Sequence, residues 1–315
     1  MDLRRALPTV LAIVGVCAAV LLISWAVRPA PPVPKACPGQ WGGEGIGDWV
    51  PAAADVEGAG ESLVPGEPVE AMICAYPGTN MNPGGERLAG VRVLKADAAT
   101  MARDLAYLPV TTSDDPNRIC TAAGGPMTNF LVRFAYSGGE ALWVGGAEEV
   151  NSCALATNGT VKVPTYVGGS LGIAYRQGAW RIMEPEDPCK GRLPSRRGQD
   201  EFLVPDGAVA VVVCRRDPRD RRPTRAYHRK AEAQALAEAL NSSDTWPTEH
   251  TFRQVPGARP GENAFTLLFR YADGPDAGVR VDLGAEPPVS TIMLQGDLND
   301  DARALLLRLA PPPHP

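Results

Sequence analysis

Aromatic residues are scarce in this chain, at 6% of 315 residues, and histidine occurs only three times. With 33 glycines and 31 prolines beside so few rings, the composition argues against long helices and for short elements joined by many turns. No C-x-x-C pair and no Cys/His cluster occurs, which removes the usual zinc arrangements and leaves no metal or cofactor to expect. A strong charge of either sign is also missing: the formal net charge is -5, too mild for a nucleic-acid protein. Hydrophobic residues at 44% and charged residues at 21% lie near the globular average and exclude bulk disorder. The length suffices for two ordinary domains. Arginine far outnumbers lysine, a bias that high-GC coding produces without selection for function.

What is present begins with one long apolar run. Residues 6–27, ALPTVLAIVGVCAAVLLISWAV, carry no charge, and a bilayer core takes ~20 apolar residues to span as a helix. A cleaved signal peptide has a shorter run, about 7–15 residues, so the segment predicts an uncleaved transmembrane signal-anchor. Arg4 and Arg5 would hold residues 1–5 inside as a cytoplasmic stub and place the remainder outside. This reading gives a single-pass protein of the cell membrane. The alternative is secretion after cleavage near Ala26, where Ser24 and Ala26 fit the small-x-small rule. Residues 28–36, RPAPPVPKA, follow as a Pro-rich extended spacer.

One phrase occurs twice. ESLVPGEPVEAMIC ends at Cys74 and EFLVPDGAVAVVVC ends at Cys214, an offset of 140. Downstream the match resumes at an offset of 135, with Phe130, Phe134, Tyr136 and Gly139 against Phe265, Phe269, Tyr271 and Gly274. Such order over so long a stretch indicates two copies of one unit, at 37–184 and 189–310, with 311–315 as a Pro-rich tail. Each copy reads as a Leu-Val-Pro turn, an apolar strand, an alanine-rich helix and a hairpin. In repeat 1 Asn158-Gly159 adds a second hairpin signal of the type I′ kind. The fold class is therefore α+β, an N-terminal transmembrane helix followed by two tandem β-α-β-β repeats with mostly antiparallel sheets.

The repeat also sorts the cysteines. Cys17 lies in the apolar run, and six others remain. Cys37 precedes the phrase that ends in Cys74, and Cys189 precedes the one that ends in Cys214. Cys120 and Cys153 flank the first hairpin, and their counterparts in repeat 2, Val255 and Pro288, lack sulfur together. The expected pairs are Cys37–Cys74, Cys189–Cys214 and Cys120–Cys153, in an oxidising compartment.

Leu203, Val204, Pro205 and Cys214, with the hairpin Phe269-Arg270-Tyr271-Ala272-Asp273-Gly274, give the chain a resemblance. It is similar to membrane-anchored or secreted proteins of actinobacteria that combine a Cys, an LVP-like turn, a strand ending in Cys, a helix and an FRYADG-type hairpin. The resemblance covers both repeats and implies an envelope location. It brings no catalytic residues.

Three stretches hold chemistry-bearing residues. GGSLG, residues 168–172, fits the G-x-S-x-G nucleophile elbow, with Ser170 as the nucleophile and Asp187 or Asp200 and His228, His250 or His314 to complete Ser…Asp…His. The alternative is a plain glycine turn, since the repeated strand–helix units of an α/β-hydrolase are missing around it. DLNDD, residues 297–301, opens like a calcium loop but lacks its glycine and glutamate; Asn299 or Asp300 reads instead as a helix N-cap. Asn158 and Asn241 head glycosylation sequons, here read as a turn and a helix end. Finally, Arg215, Arg216, Arg219, Arg221, Arg222, Arg225, Arg229 and Lys230 are expected to crowd one loop between strand and helix. Guanidinium groups suit phosphate or carboxylate partners, and anionic lipid headgroups, anionic wall polymer or an unidentified protein are the partners expected. The alternative is a solvated loop neutralised by Asp217 and Asp220. Together these features predict a non-catalytic binding or scaffolding protein of the envelope, with a serine hydrolase using Ser170 as the alternative.

Overall fold

The computed structural model describes residues 33–112, 123–183, 187–190, 193–216, 222–248, 253–254 and 263–313. The chain divides into two units, Met1–Lys35 and Ala36–Pro315, and the elements below belong to the second. The run 6–27 lies outside the described residues. Among the described residues no helix is long and apolar enough to cross a membrane. The longest has 12 residues, against the ~20 that a span requires. The transmembrane helix in the expected fold class, the single-pass topology, the cell-membrane location and the membrane partner are therefore corrected and set aside.

The α+β part stands. Eight elements come first: β1 (Glu70–Thr79), β2 (Gly90–Leu94), α1 (Ala98–Ala106), β3 (Pro126–Ala135), β4 (Ala141–Glu149), β5 (Ala156–Thr157), β6 (Lys162–Val163) and α2 (Gly168–Gln177). Their strands form one antiparallel sheet in the order β2-β1-β3-β4-β5-β6. The second series is β7 (Ala210–Arg215), β8 (Thr224–Arg229), α3 (Lys230–Asn241), β9 (Thr245–Pro247), β10 (Arg253–Gln254), β11 (Ala264–Arg270), β12 (Ala277–Asp282), β13 (Ala285–Glu286), β14 (Val289–Ser290), β15 (Leu294–Gly296) and α4 (Asp300–Leu309). Its main sheet runs β8-β7-β11-β12-β14-β15-β9, and β10 pairs with β13. β2-β1-β3-β4 and β8-β7-β11-β12 share one plan.

The repeated motif is therefore β-β-α-β-β rather than β-α-β-β. The missed strands are β2 and β8. In TRAYHR the period-2 signal is carried by charge: Arg225, Tyr227 and Arg229 are exposed while Thr224, Ala226 and His228 are half-buried. No apolar alternation marks such an edge strand.

Alternation along each inner strand makes two faces. One face of the first sheet carries Ile73, Phe130, Val132, Phe134 and Val144, and against it pack Met101 and Leu105 of α1 and Leu171 of α2. In the second sheet Val211, Val213, Phe265 and Leu267 meet Leu236 and Leu240 of α3 and Leu306 of α4. The other face of each sheet is covered by the segment that precedes its phrase. Trp41 and Trp49 pack there in the first, and Tyr76 Oη donates to the Pro38 carbonyl at 2.8 Å. Cys189 lies over Val212 and Leu268 in the second. The disulfides Cys37–Cys74 and Cys189–Cys214 tie these segments down. Cys153 is also disulfide-bonded; its expected partner Cys120 lies outside the described residues.

The type I′ turn at Asn158 is corrected as well. That turn needs positive φ at both central residues, and only Gly159 has it. Asn158 is buried and works through its side chain, accepting from the Thr160 and Val161 N–H groups and donating to the Ala59 and Ser62 carbonyls. Asn241 likewise exchanges two hydrogen bonds with Val204. Both sequon asparagines thus hold the Leu-Val-Pro turn.

Candidate functional site

The glycines of GGSLG are explained by packing. A Cβ at Gly168 would stand 1.7 Å from the Ala147 carbonyl oxygen of β4, and one at Gly172 would meet the Glu148 carboxylate at 2.2 Å. They let α2 lie directly on β4. Ser170 sits inside that helix, 7% exposed, and its Oγ accepts the Met183 N–H at 2.8 Å. His228 is on β8 of the other sheet, with Nε2 against the Leu309 carbonyl at 2.7 Å. His250 and His314 lie outside the described residues. Asp187 pairs with Arg225 at 3.1 Å, and Asp200 is exposed on a turn. No histidine or carboxylate among the described residues is hydrogen-bonded to Ser170. In DLNDD, Asn299 caps α4 by accepting from Ala302 N at 2.7 Å. Among the described residues no group of three His, Cys, Asp or Glu side chains could hold a metal ion.

The arginine-rich stretch is not one loop. Arg215 ends β7 with its guanidinium 5.0 Å from the centre of the Phe265 ring, and burial lowers its pKa. Arg225 and Arg229 lie on β8, and Lys230 opens α3. Arg216 and Arg222 are exposed, while Arg219 and Arg221 fall outside the described residues. The structure spreads these cations over a strand end, an edge strand and a helix start. With no membrane-spanning helix among the described residues, the envelope-anchored scaffold that meets anionic lipid or wall polymer through an arginine loop is set aside.

A site of another kind lies at the Leu-Val-Pro turns. In each repeat a tyrosine at the start of the hairpin turn donates to the proline carbonyl: Tyr136 Oη to Pro65 and Tyr271 Oη to Pro205, both at 2.7 Å. Burial pushes the Tyr136 phenol up to about 12 and raises that of Tyr271 as well. Upstream of each phrase the backbone repeats too. Ala59 N donates to Val56 O and Gln199 N to Arg196 O; Glu61 N donates to Gly58 O and Glu201 N to Gly198 O. Gly58 and Gly198 both have positive φ. Val56 and Arg196 therefore occupy the same place in the two repeats.

What fills that place differs. In repeat 2 Arg196 is 7% exposed, with its guanidinium 3.9 Å from the centre of the Tyr271 ring and 4.0 Å from that of Tyr107. Its Nη1 donates to the carbonyls of Asp273 at 2.7 Å and Pro275 at 2.9 Å. The FRYADG turn is thus an arginine receptor, filled from its own chain. In repeat 1 the same corner is a cavity of about 290 Å³ lined by Val56, Pro65, Gly66 and Tyr136. Its rim holds Asp55, Glu57 and Glu140, all exposed. Among the described residues no ion pair neutralises these three carboxylates.

Sequence reasoning missed Arg196 and the cavity residues, although the signal was there. Extending the offset of 140 upstream of the phrase aligns Asp55-Val56-Glu57-Gly58 with Ser195-Arg196-Arg197-Gly198, an acidic face against a basic one around a shared glycine. No protein-family model, curated protein or solved structure matches the chain.

Proposed function

We propose that this chain is a ligand-binding protein of an oxidising compartment and that its binding site is the acidic cavity beside Tyr136. One observation carries the reading: the same corner of the second repeat is filled by Arg196, while in the first repeat it is open and rimmed by three carboxylates that no described residue ion-pairs. A cation over a tyrosine face gains about 0.5–2 kcal/mol, more as water is excluded. The disulfides Cys37–Cys74 and Cys189–Cys214 support the compartment, since such bridges persist where thiols are not kept reduced. The duplicated corner then has a division of labour, with repeat 2 closed on itself and repeat 1 available.

Calorimetric titration of the full-length chain with a cationic and an anionic hexapeptide of equal length tests this. The cationic peptide should bind and the anionic one should not. Binding should weaken as salt rises, because exposed carboxylates are screened within ~8–10 Å at physiological strength. Replacing Glu57 and Glu140 together by glutamine should remove it. Equal binding of the cationic peptide by this double variant would put the site elsewhere.

A further inference from the structure

Resting on that reading, we infer that the Tyr136 cavity takes an arginine side chain presented by a partner polypeptide, and discriminates it from lysine. The second repeat shows the occupant this corner is shaped for. Arg196 lies over the Tyr271 ring and directs Nη1 at two carbonyls of the hairpin turn, Asp273 and Pro275. At the offset of 135 the corresponding carbonyls belong to Gly138 and Glu140, and the corresponding ring is that of Tyr136. Gly139 and Gly274, three residues past each tyrosine, both have positive φ, and the Glu140 carbonyl, which accepts from Tyr136 N at 3.0 Å, keeps its second lone pair for a guanidinium. A ring face with carbonyl acceptors at its edge matches a planar guanidinium, whose donors lie in the plane of the group that stacks. An ammonium is a compact, strongly hydrated point charge with no planar face to lay over the ring.

The reason repeat 1 does not fill itself is a substitution. Val56 stands where Arg196 stands, too short and uncharged to reach the turn. Around it the flanks turn acidic. Ser195 and Arg197 are replaced by Asp55 and Glu57, and Pro275 by Glu140. A corner that holds its own arginine needs no further anions. A corner that must attract one from solution gains from them through charge complementarity and a faster encounter. In repeat 2 the outer face of the guanidinium is covered by Tyr107, which comes from the other repeat. In repeat 1 the open side of the cavity leaves that cover to be supplied by the incoming chain.

The test uses the full-length protein and two capped tripeptides, acetyl-Gly-Arg-Gly-amide and acetyl-Gly-Lys-Gly-amide, followed by NMR shifts of the Val56, Gly66 and Tyr136 signals. The arginine peptide should shift all three and bind at least tenfold more tightly than the lysine peptide. Val56→Arg should fill the cavity from within, as Arg196 does, and reduce arginine-peptide binding at least tenfold, whereas Val56→Leu should leave it. Equal affinity for the two peptides overturns the guanidinium assignment and leaves a general cation site. No shift with either peptide, while the cationic hexapeptide still binds, also overturns it. Loss of binding by all of them removes the proposed function as well.

Discussion

Asp104 is a carboxylate whose surroundings oppose its charge. It lies on α1 and accepts from Trp180 Nε1 at 2.7 Å. Burial raises its pKa above the usual 3.8, outweighing the opposing pull of the Trp180 N–H, Arg103 and Arg196, while Asp273 adds to the rise. The folded state thus holds the Asp104 proton more tightly than the unfolded chain does. Between 3.8 and the raised value the native state binds more protons, so this group's contribution is full at low pH and is lost as pH rises through that window. Asn at this position keeps the acceptor for Trp180 and cannot ionise. Asp104→Asn should be at least as stable as wild type at pH 7, and its advantage should vanish below pH ~3.8. Urea unfolding of both proteins across pH gives the difference directly. A variant weaker at pH 7 than at pH 3.5, relative to wild type, would mean that attraction to Arg103 outweighs desolvation.

Close approach of α2 to β4 depends on glycines that have no conformational reason to be there. Gly168 and Gly172 have no positive φ; a methyl group at Gly168 would meet backbone, and one at Gly172 would meet the end of the Glu148 side chain. The obstacle at Gly168 is the Ala147 carbonyl, which is backbone of a paired strand. Gly168→Ala should therefore cost at least the ~1–3 kcal/mol typical of overpacking. Gly60 is exposed and faces open space; Gly60→Ala should stay within about ±0.5 kcal/mol. Equal midpoints for the two variants in denaturant would contradict this account of the GGSLG segment. The same segment shows where reading elements from sequence succeeds and fails. Strands β1 and β7, helices α1 and α3 and both hairpins are legible because each buries an apolar face with a clear period. Pairing of Cys37–Cys74 and Cys189–Cys214 is legible because the repeat places each cysteine before its phrase. The edge strands β2 and β8 are not, since exposed edges such as Arg225-Ala226-Tyr227 need no apolar alternation. GGSLG imitates an elbow because close helix–strand packing and a strained nucleophile turn both demand glycine.

Across the compact unit of residues 36–315, Arg196 is one of the residues that join the two repeats. Its guanidinium lies between Tyr107, just past α1, and Tyr271, just past β11. Around it Arg197 N donates to the Tyr107 carbonyl at 2.6 Å, and Arg103 approaches Asp273 at 3.6 Å. The Arg103–Asp273 pair is half exposed and contributes little. The buried cation, with two carbonyl acceptors and two ring faces, contributes more. Arg196→Ala leaves those carbonyls to find water and should cost roughly 2–4 kcal/mol. Arg196→Lys keeps the charge but loses the planar group between the two rings, so it should recover less than half of that. Hydrogen exchange adds a local readout: protection of the Arg197 amide should fall in both variants, while amides in the middle of β3 and β11 keep theirs, because each sheet retains its own core. This residue was hard to find in the sequence because its partners lie 89 positions before it and 75 after it, counting from Tyr107 and Tyr271. Only the repeat brings those positions into one frame. The outcome for lysine also bears on the first repeat. If Arg196→Lys were as stable as wild type, the tyrosine corner would hold any cation equally, and the arginine preference argued for the Tyr136 cavity would lose its template.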